Sequence, residues 1–341
     1  MITVRGQNSG LRLKPALLDS AHDDPRVQLL RSDVASAAIG ADLSLPTAKP
    51  VPIAQVIPLP HHEVSFQREG FELARFHYEP DGMRPFIYPI AGPSGRSLTR
   101  MGHPHDPVGH RHHNSVWISH HDVNGISFWG DYGQGRLVVQ RAEQFEDGND
   151  EATVLTVAQW RAGEVVLLNE RRRTALHLLP NKEWLLLIDL QIEPAGTNDI
   201  TFGKTPFGLV GVRMAKTIGV HDGGGTIRNS EGGVNEKGVL WKFARWMDYS
   251  GPITATAREG ITLMDHPSNP NHPTVFHVRD DGWMGASLTY TNARVIKPGA
   301  PLRLRYGLYV HAGVPDPATI QRQWDAFAKA PLPALEALPK K

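Results

Sequence analysis

Polar and apolar residues alternate with a period of two along most of this chain, the pattern of strands with one buried face. The clearest run spans residues 302–311. Leu302, Leu304, Tyr306, Leu308 and Val310 share one face, and Arg303, Arg305, Tyr309 and His311 share the other. Pro298-Gly299 before the run and Ala312-Gly313 after it punctuate its ends. The same reading predicts strands over 64–66, 73–78, 137–144, 153–160, 165–178, 184–192, 261–265 and 286–291. Trp184-Leu185-Leu186-Leu187-Ile188 is apolar on both faces, which fits a strand in the middle layer of a large sandwich.

A helical pattern is legible at Asp316–Phe327. Asp316 suits the N-cap, Pro317 the first turn, and Ile320, Trp324 and Phe327 fall on one side. With 33 Gly and 27 Pro, long helices have little room elsewhere. Strands and helices do not alternate as they do in parallel sheets and barrels. The expected fold is therefore all-β: a large antiparallel β-sandwich with a short C-terminal helix.

Residues 1–50 contain no Phe, Trp or Tyr and run into the proline-rich Leu45–Pro52. This divides the chain into an N-terminal extension (1–55) packed on the main domain, a β-sandwich domain (56–315), and a C-terminal helix and tail (316–341). Among 341 residues, 36 basic and 35 acidic side chains nearly cancel, so no nucleic-acid footprint is expected. Cysteine is absent, which excludes disulfides, thiolate metal sites and a cysteine nucleophile. The first residues lack the apolar run of a secretory signal, and no window approaches the ~20 apolar residues that span a bilayer. A cytoplasmic protein without a membrane partner is expected.

Candidate chemistry concentrates in one stretch. Five of the 17 histidines lie within Gly109–Gly125, and His103 and His105 stand just upstream. Histidine gains and loses its proton near neutral pH and is the commonest metal ligand, so such a loop suits a reaction or binding site. Four other segments carry polar clusters. Glu170-Arg171-Arg172-Arg173 sets a carboxylate among arginines, and Lys204-Thr205-Pro206-Phe207 opens an apolar segment with a lone lysine. Trp246–Gly251 combines indole, carboxylate and phenol, read as a sugar-holding turn. The fourth, Asp265–Pro273, is a proline-stiffened loop leading to His277 and Arg279.

These residues also carry a resemblance. His110-Arg111-His112-His113, Trp117, His120, Asp122-Val123-Asn124-Gly125 and Phe128-Trp129 resemble the signature of the PmoA-like family of bacterial proteins. The family's usual form is His-Pro-His-His-Arg-Gly-Leu-Trp, then His-Gly-Asp-Val-Asn-Gly and Phe-Trp. Further matches run through Arg84–Pro89, Glu170–Arg172, Gly208–Arg213, Asn229-Ser230, Trp246–Gly251, Asp265–Pro267, His272–Thr274, Leu304–Tyr306 and His311. Arg111, Asn114, Ser115 and His121 depart from the usual Pro, Arg, Gly and Gly. The family is named after methane oxygenase, but a membrane subunit does not fit a chain without a spanning segment. What the resemblance implies is a β-supersandwich similar to galactose mutarotase, with an ill-defined activity and frequent gene neighbours that are sugar oxidoreductases.

The leading expectation is a carbohydrate-active enzyme working on a sugar or glycoside by general acid–base chemistry: epimerisation, hydrolysis or elimination. His112 and His120 are assigned proton transfer, with Glu170 or Asp248 as the carboxylate partner. His110, His113, Asp122, Asn124, Trp129, Trp246, Tyr249, His266, His277 and Arg279 are assigned substrate binding. The alternatives are a non-catalytic sugar-binding module on Trp129, Trp246 and Tyr249, and a metal-dependent oxidoreductase or hydrolase using His110, His112 and a later histidine. No cofactor is expected, while a divalent metal stays open. The expected partner is a small carbohydrate.

Overall fold

A computed structural model describes residues 50–102 and 110–336. Residues 1–49 of the expected extension, with His103, His105 and Gly109, lie outside the described residues. One nine-stranded sheet runs in the order β1 (Ala54–Leu59), β2 (Glu63–Arg68), β3 (Phe71–His77), β4 (Phe86–Ile90), β5 (Val116–His120), β11 (Gly208–Arg213), β17 (Trp283–Ser287), β16 (Thr274–Arg279) and β13 (Lys242–Ala244). An eight-stranded sheet follows the order β12 (Thr226–Asn229), β14 (Trp246–Pro252), β15 (Arg258–Asp265), β19 (Leu302–Ala312), β9 (Trp184–Pro194), β8 (Val165–Leu178), β7 (Glu151–Ala162) and β6 (Gly135–Glu146). A short ribbon pairs β10 (Ile200–Phe202) with β18 (Arg294–Ile296). Pairing in both large sheets is antiparallel throughout.

The sheets face each other across one apolar core. On β19 the predicted face enters it: Leu302, Leu304, Tyr306, Leu308 and Val310 all pack there. On β9, Trp184, Leu186 and Ile188 face the same core, while Leu185 and Leu187 meet a second cluster under the C-terminal helix. That helix, Pro317–Lys329, begins as expected: the Asp316 carboxylate accepts from Thr319 N at 2.9 Å and caps it. Its Ile320 and Phe327 cover Ala175, Trp246, Met264 and Tyr309 on the outer face of the eight-stranded sheet. Among the described residues no helix is long and apolar enough to cross a membrane.

Three expectations need correction. Trp246–Gly251 is not a turn but lies in β14, held between β12 and β15 and buried through Gly251. The strand expected at 286–291 is β17, three residues earlier at its start, because the chain turns after Ser287 with Tyr290 N donating to Ser287 O. Residues 116–120, within the stretch read as a histidine loop, form β5 near the centre of the nine-stranded sheet.

Candidate functional site

Cross-strand partners Phe86, Trp117, Gly211, Gly285 and His277 form one row over β4, β5, β11, β17 and β16. Arg213, Trp283 and Arg279 form the next row. Side chains alternate along a strand, so both rows stand on the face opposite Val116, Ile118, Val210, Val212, Val278 and Met284, which fill the inter-sheet core. The site is therefore built on the outer face of the nine-stranded sheet. Gly211 makes room at its centre for two indoles: a Cβ there would meet Trp283 Cη2 at 2.8 Å and Trp117 Cζ2 at 2.9 Å. The two indoles lie over the glycine, with ring centroids 5.4 Å apart.

Above this floor is a cavity of about 260 Å³, lined by His110, His112, His113, His121, Trp129, Phe207, His277, Arg279 and Trp283. The His110–His113 turn supplies one wall and closes on itself, His113 N donating to His110 O at 3.0 Å. The His110 and His113 rings stack 4.6 Å apart, and His112 meets His113 edge-on at 4.5 Å. Arg84, with a buried guanidinium, ties this wall to its neighbour. It donates to His112 O at 2.8 Å and to Asp131 at 3.0 Å, just beyond Trp129.

Burial holds two of these imidazoles neutral, with neighbouring charges adding to it. Burial, then the charges of His112, Arg213, His110 and Arg100, push the His113 pKa far below its ordinary value. Burial, followed by Arg279, lowers His277 to about 4, with Asp281 opposing the shift. Asp281 stands beside the cavity, 3.0 Å from Arg213 and 4.0 Å from His110 Nδ1, and is also paired with Arg279. Burial alone would raise its pKa, but Arg213, Arg279 and His110 hold it below the usual carboxylate value. Buried Nδ1 of His113, Nδ1 of His277 and Nε1 of Trp283 find no hydrogen-bond partner among the described residues. Buried polar groups in folded proteins are nearly all hydrogen-bonded, so nitrogens of this kind call for a partner such as water, an ion or a ligand.

Of the sequence-assigned residues, the fold brings together His110, His112, His113, Trp129, His277 and Arg279. The others are placed elsewhere. His120 points from β5 into the core, stacked on Phe202 at 4.5 Å and bonded to Thr289 Oγ1 at 2.8 Å. Glu170 lies between the sheets, accepting from Trp160 Nε1 at 2.8 Å and paired with Arg172 at 2.6 Å. Asp248 is sealed on the outer face of the eight-stranded sheet by Arg228, Ser250, Thr262 and His311. Trp246 donates to Gln321 of the C-terminal helix, and His266 packs on Phe327. Asp122 and Asn124 fix a turn, accepting from Gly125 N at 2.8 Å and Thr201 N at 2.7 Å. Tyr249 acts at one remove: its hydroxyl donates to Arg279 O or Asp280 O and accepts from Gly282 N, anchoring the turn that carries Asp281.

His121, Phe207, Asp281 and Trp283 escaped the sequence assignment. His121 stood in the histidine run and Phe207 in the Lys204 segment; nothing local marked Asp281 or Trp283. Among the described residues no three His, Asp or Glu side chains are grouped to hold a metal ion.

Fold and cavity together define an all-β sandwich protein with an imidazole–indole site on the outer face of one sheet. The chain belongs to a family of unknown function, DUF6807, whose profile matches residues 63–325. No curated protein matches it. Among solved structures, the 4-alpha-glucanotransferase from Thermococcus litoralis aligns at a TM-score of 0.29 and 10% identity, over 77% of this chain and 40% of that one. This chain thus spans less than half of that enzyme, and a likeness of that size carries no argument about activity.

Proposed function

We propose that this protein is a sugar-directed enzyme that moves protons with imidazoles, and that its substrate ring sits in the His110–His113 cavity. The observation that carries the reading is the set of unpaired buried nitrogens on His113, His277 and Trp283 around an aromatic-walled cavity. Such a lining offers flat apolar surface to the ring and hydrogen bonds to its hydroxyls. At about 260 Å³ the cavity is smaller than the roughly 300–1,000 Å³ of drug-sized ligand sites. One ring fits it better than an oligosaccharide.

His112 is the assigned proton-transfer group. His110, with Asp281 beyond it, supplies the imidazole–carboxylate pair first sought at Glu170 or Asp248. The lining of imidazoles, indoles and a guanidinium suits epimerisation or elimination by imidazole proton transfer. Its aromatic surface equally supports, as a second reading, a module that binds sugar without turning it over. The motif resemblance to the PmoA-like family, and the mutarotase-like fold it implies, point to the same substrate class.

The test is NMR of the purified protein with a panel of aldoses, methyl glycosides and keto-glycosides. Conversion of at least one compound, lost in His112→Ala, is expected. Binding without conversion selects the second reading, and no binding by any compound overturns both.

A further inference from the structure

The turn between β16 and β17 sets two hydrogen-bond donors side by side in the lining of the histidine cavity. Arg279 and Trp283 are register partners across the two strands, and both line the cavity. Residues paired in this way hold their Cβ atoms about 5 Å apart, within reach of one small group. The Trp283 indole N–H can only donate; it is buried and has no hydrogen-bond partner among the described residues. Arg279 is likewise donor-only, and its side chain is 35% exposed. Its Nη2 is paired with Asp281, while Nε and Nη1 make no hydrogen bond among the described residues.

The charge of that guanidinium reaches the cavity. Asp281 divides itself between two arginines, Oδ1 accepting from Arg213 at 3.0 Å and Oδ2 from Arg279. At His277, a neighbour in the lining, Arg279 lowers the imidazole pKa by more than Asp281 raises it. Arg213 acts in the same sense on His113. A positive field beside paired donors is answered better by a carboxylate than by a hydroxyl.

We propose that the ring held in the cavity is an acidic sugar, a uronate, whose carboxylate takes Arg279 and the Trp283 N–H as its donors. The inference deepens the sugar reading of the cavity and rests on it. It also gives the imidazoles a suitable task. In a uronate the carbon next to the carboxylate, C5, carries a proton whose removal leaves its electron pair in the carboxylate, where the guanidinium stabilises it. His112 takes that proton. Its return to the other face of C5 inverts that centre. If instead the C4 oxygen substituent leaves with its bonding pair and takes up the proton, a C4–C5 double bond remains. The ring of a neutral hexose offers no such proton.

The test is calorimetric titration of the full chain with galacturonate and glucuronate, their methyl esters, galactose, glucose and acetate. At least one uronate should bind about tenfold more tightly than its hexose, as one hydrogen bond to a charged group supplies. Its methyl ester should fall to the hexose level. Arg279→Gln should shrink the ratio of uronate to hexose affinity, whatever it does to both. Equal affinity for uronate and hexose, an ester as tight as its acid, or a ratio that survives Arg279→Gln overturns the acidic-sugar assignment and leaves the cavity reading intact. Acetate bound as tightly as the uronates marks a bare anion site and overturns the assignment too. Absence of binding by hexose and uronate alike overturns the cavity reading, and this inference with it.

Discussion

Arg84 donates to the carbonyl oxygen of His112 across 2.8 Å, so a residue 28 positions earlier in the chain sets the height of the histidine wall. The same guanidinium also holds Asp131, and its burial removes competing water. Replacing Arg84 with Ala leaves the His112 carbonyl and the Asp131 carboxylate without it. Because Asp131 keeps some solvent contact, a loss of about 2–3 kcal/mol in stability is expected, read as a fall in the urea midpoint. Both contacts come from Nη2, at the far end of the guanidinium, and the shorter lysine side chain does not carry an ammonium to that position, so Arg84→Lys should also weaken sugar binding. Wild-type behaviour of the lysine variant would show that this contact does not position the wall.

His112 and His120 should separate cleanly. His112→Ala removes a cavity-lining imidazole and should cut turnover by roughly 10²–10⁴-fold with little change in melting temperature. His120→Ala empties a core position between Phe202 and Thr289 and should cost about 2–4 kcal/mol. Specific activity of the folded fraction should be unchanged. Thermal melts and activity on the same preparations decide it; an inactive but stable His120 variant would return that residue to the chemistry.

Burial brings the His120 pKa down to about 4, with Asp122 partly offsetting it. Between pH 6.5 and 4 the unfolded chain therefore binds a proton there that the folded chain refuses. Its contribution is full above pH 6.5 and declines as pH falls, by up to ~1.4 kcal/mol per pH unit. His277 works in the same direction. Burial raises the pKa of Asp189, Asp265 and Glu259, which act in the opposite sense over nearby pH. Urea midpoints at pH 7, 5.5 and 4.5 should thus be compared between wild type and His120→Gln. The wild type should lose more stability on acidification, and parallel curves would refute the assignment.

Asp248 is a structural anchor. Burial alone would raise its pKa, but His311 and then Arg228 outweigh burial and keep it ionised. Asp248→Asn leaves the Arg228 guanidinium facing a neutral amide and should cost about 3–5 kcal/mol. Sugar affinity, measured by calorimetry below the variant's melting range, should stay at the wild-type value. A selective loss of affinity would place Asp248 in the ligand site after all.

Period-two alternation alone determined the β class and the inward face of β19. It also anticipated the doubly buried β9, because burial on one or both sides of a strand leaves its mark on each residue in turn. Asp316 and Pro317 announced the helix by local capping chemistry. The histidine run is legible in the sequence, and four of its members line one cavity. What the sequence could not decide was side and neighbour. His120 and Trp117 are three residues apart on one strand, yet an odd spacing sends them to opposite faces, one to the core and one to the cavity floor. Glu170 and Asp248 looked like catalytic carboxylates until sheet packing enclosed them with Arg172, Arg228 and His311. Conversely, Asp281 and Trp283 joined the site only because β17 pairs with β11 and β16, which sets residues far apart in sequence beside the histidine wall. Pairing across strands is a long-range choice, made by the whole core at once, and no local pattern records it.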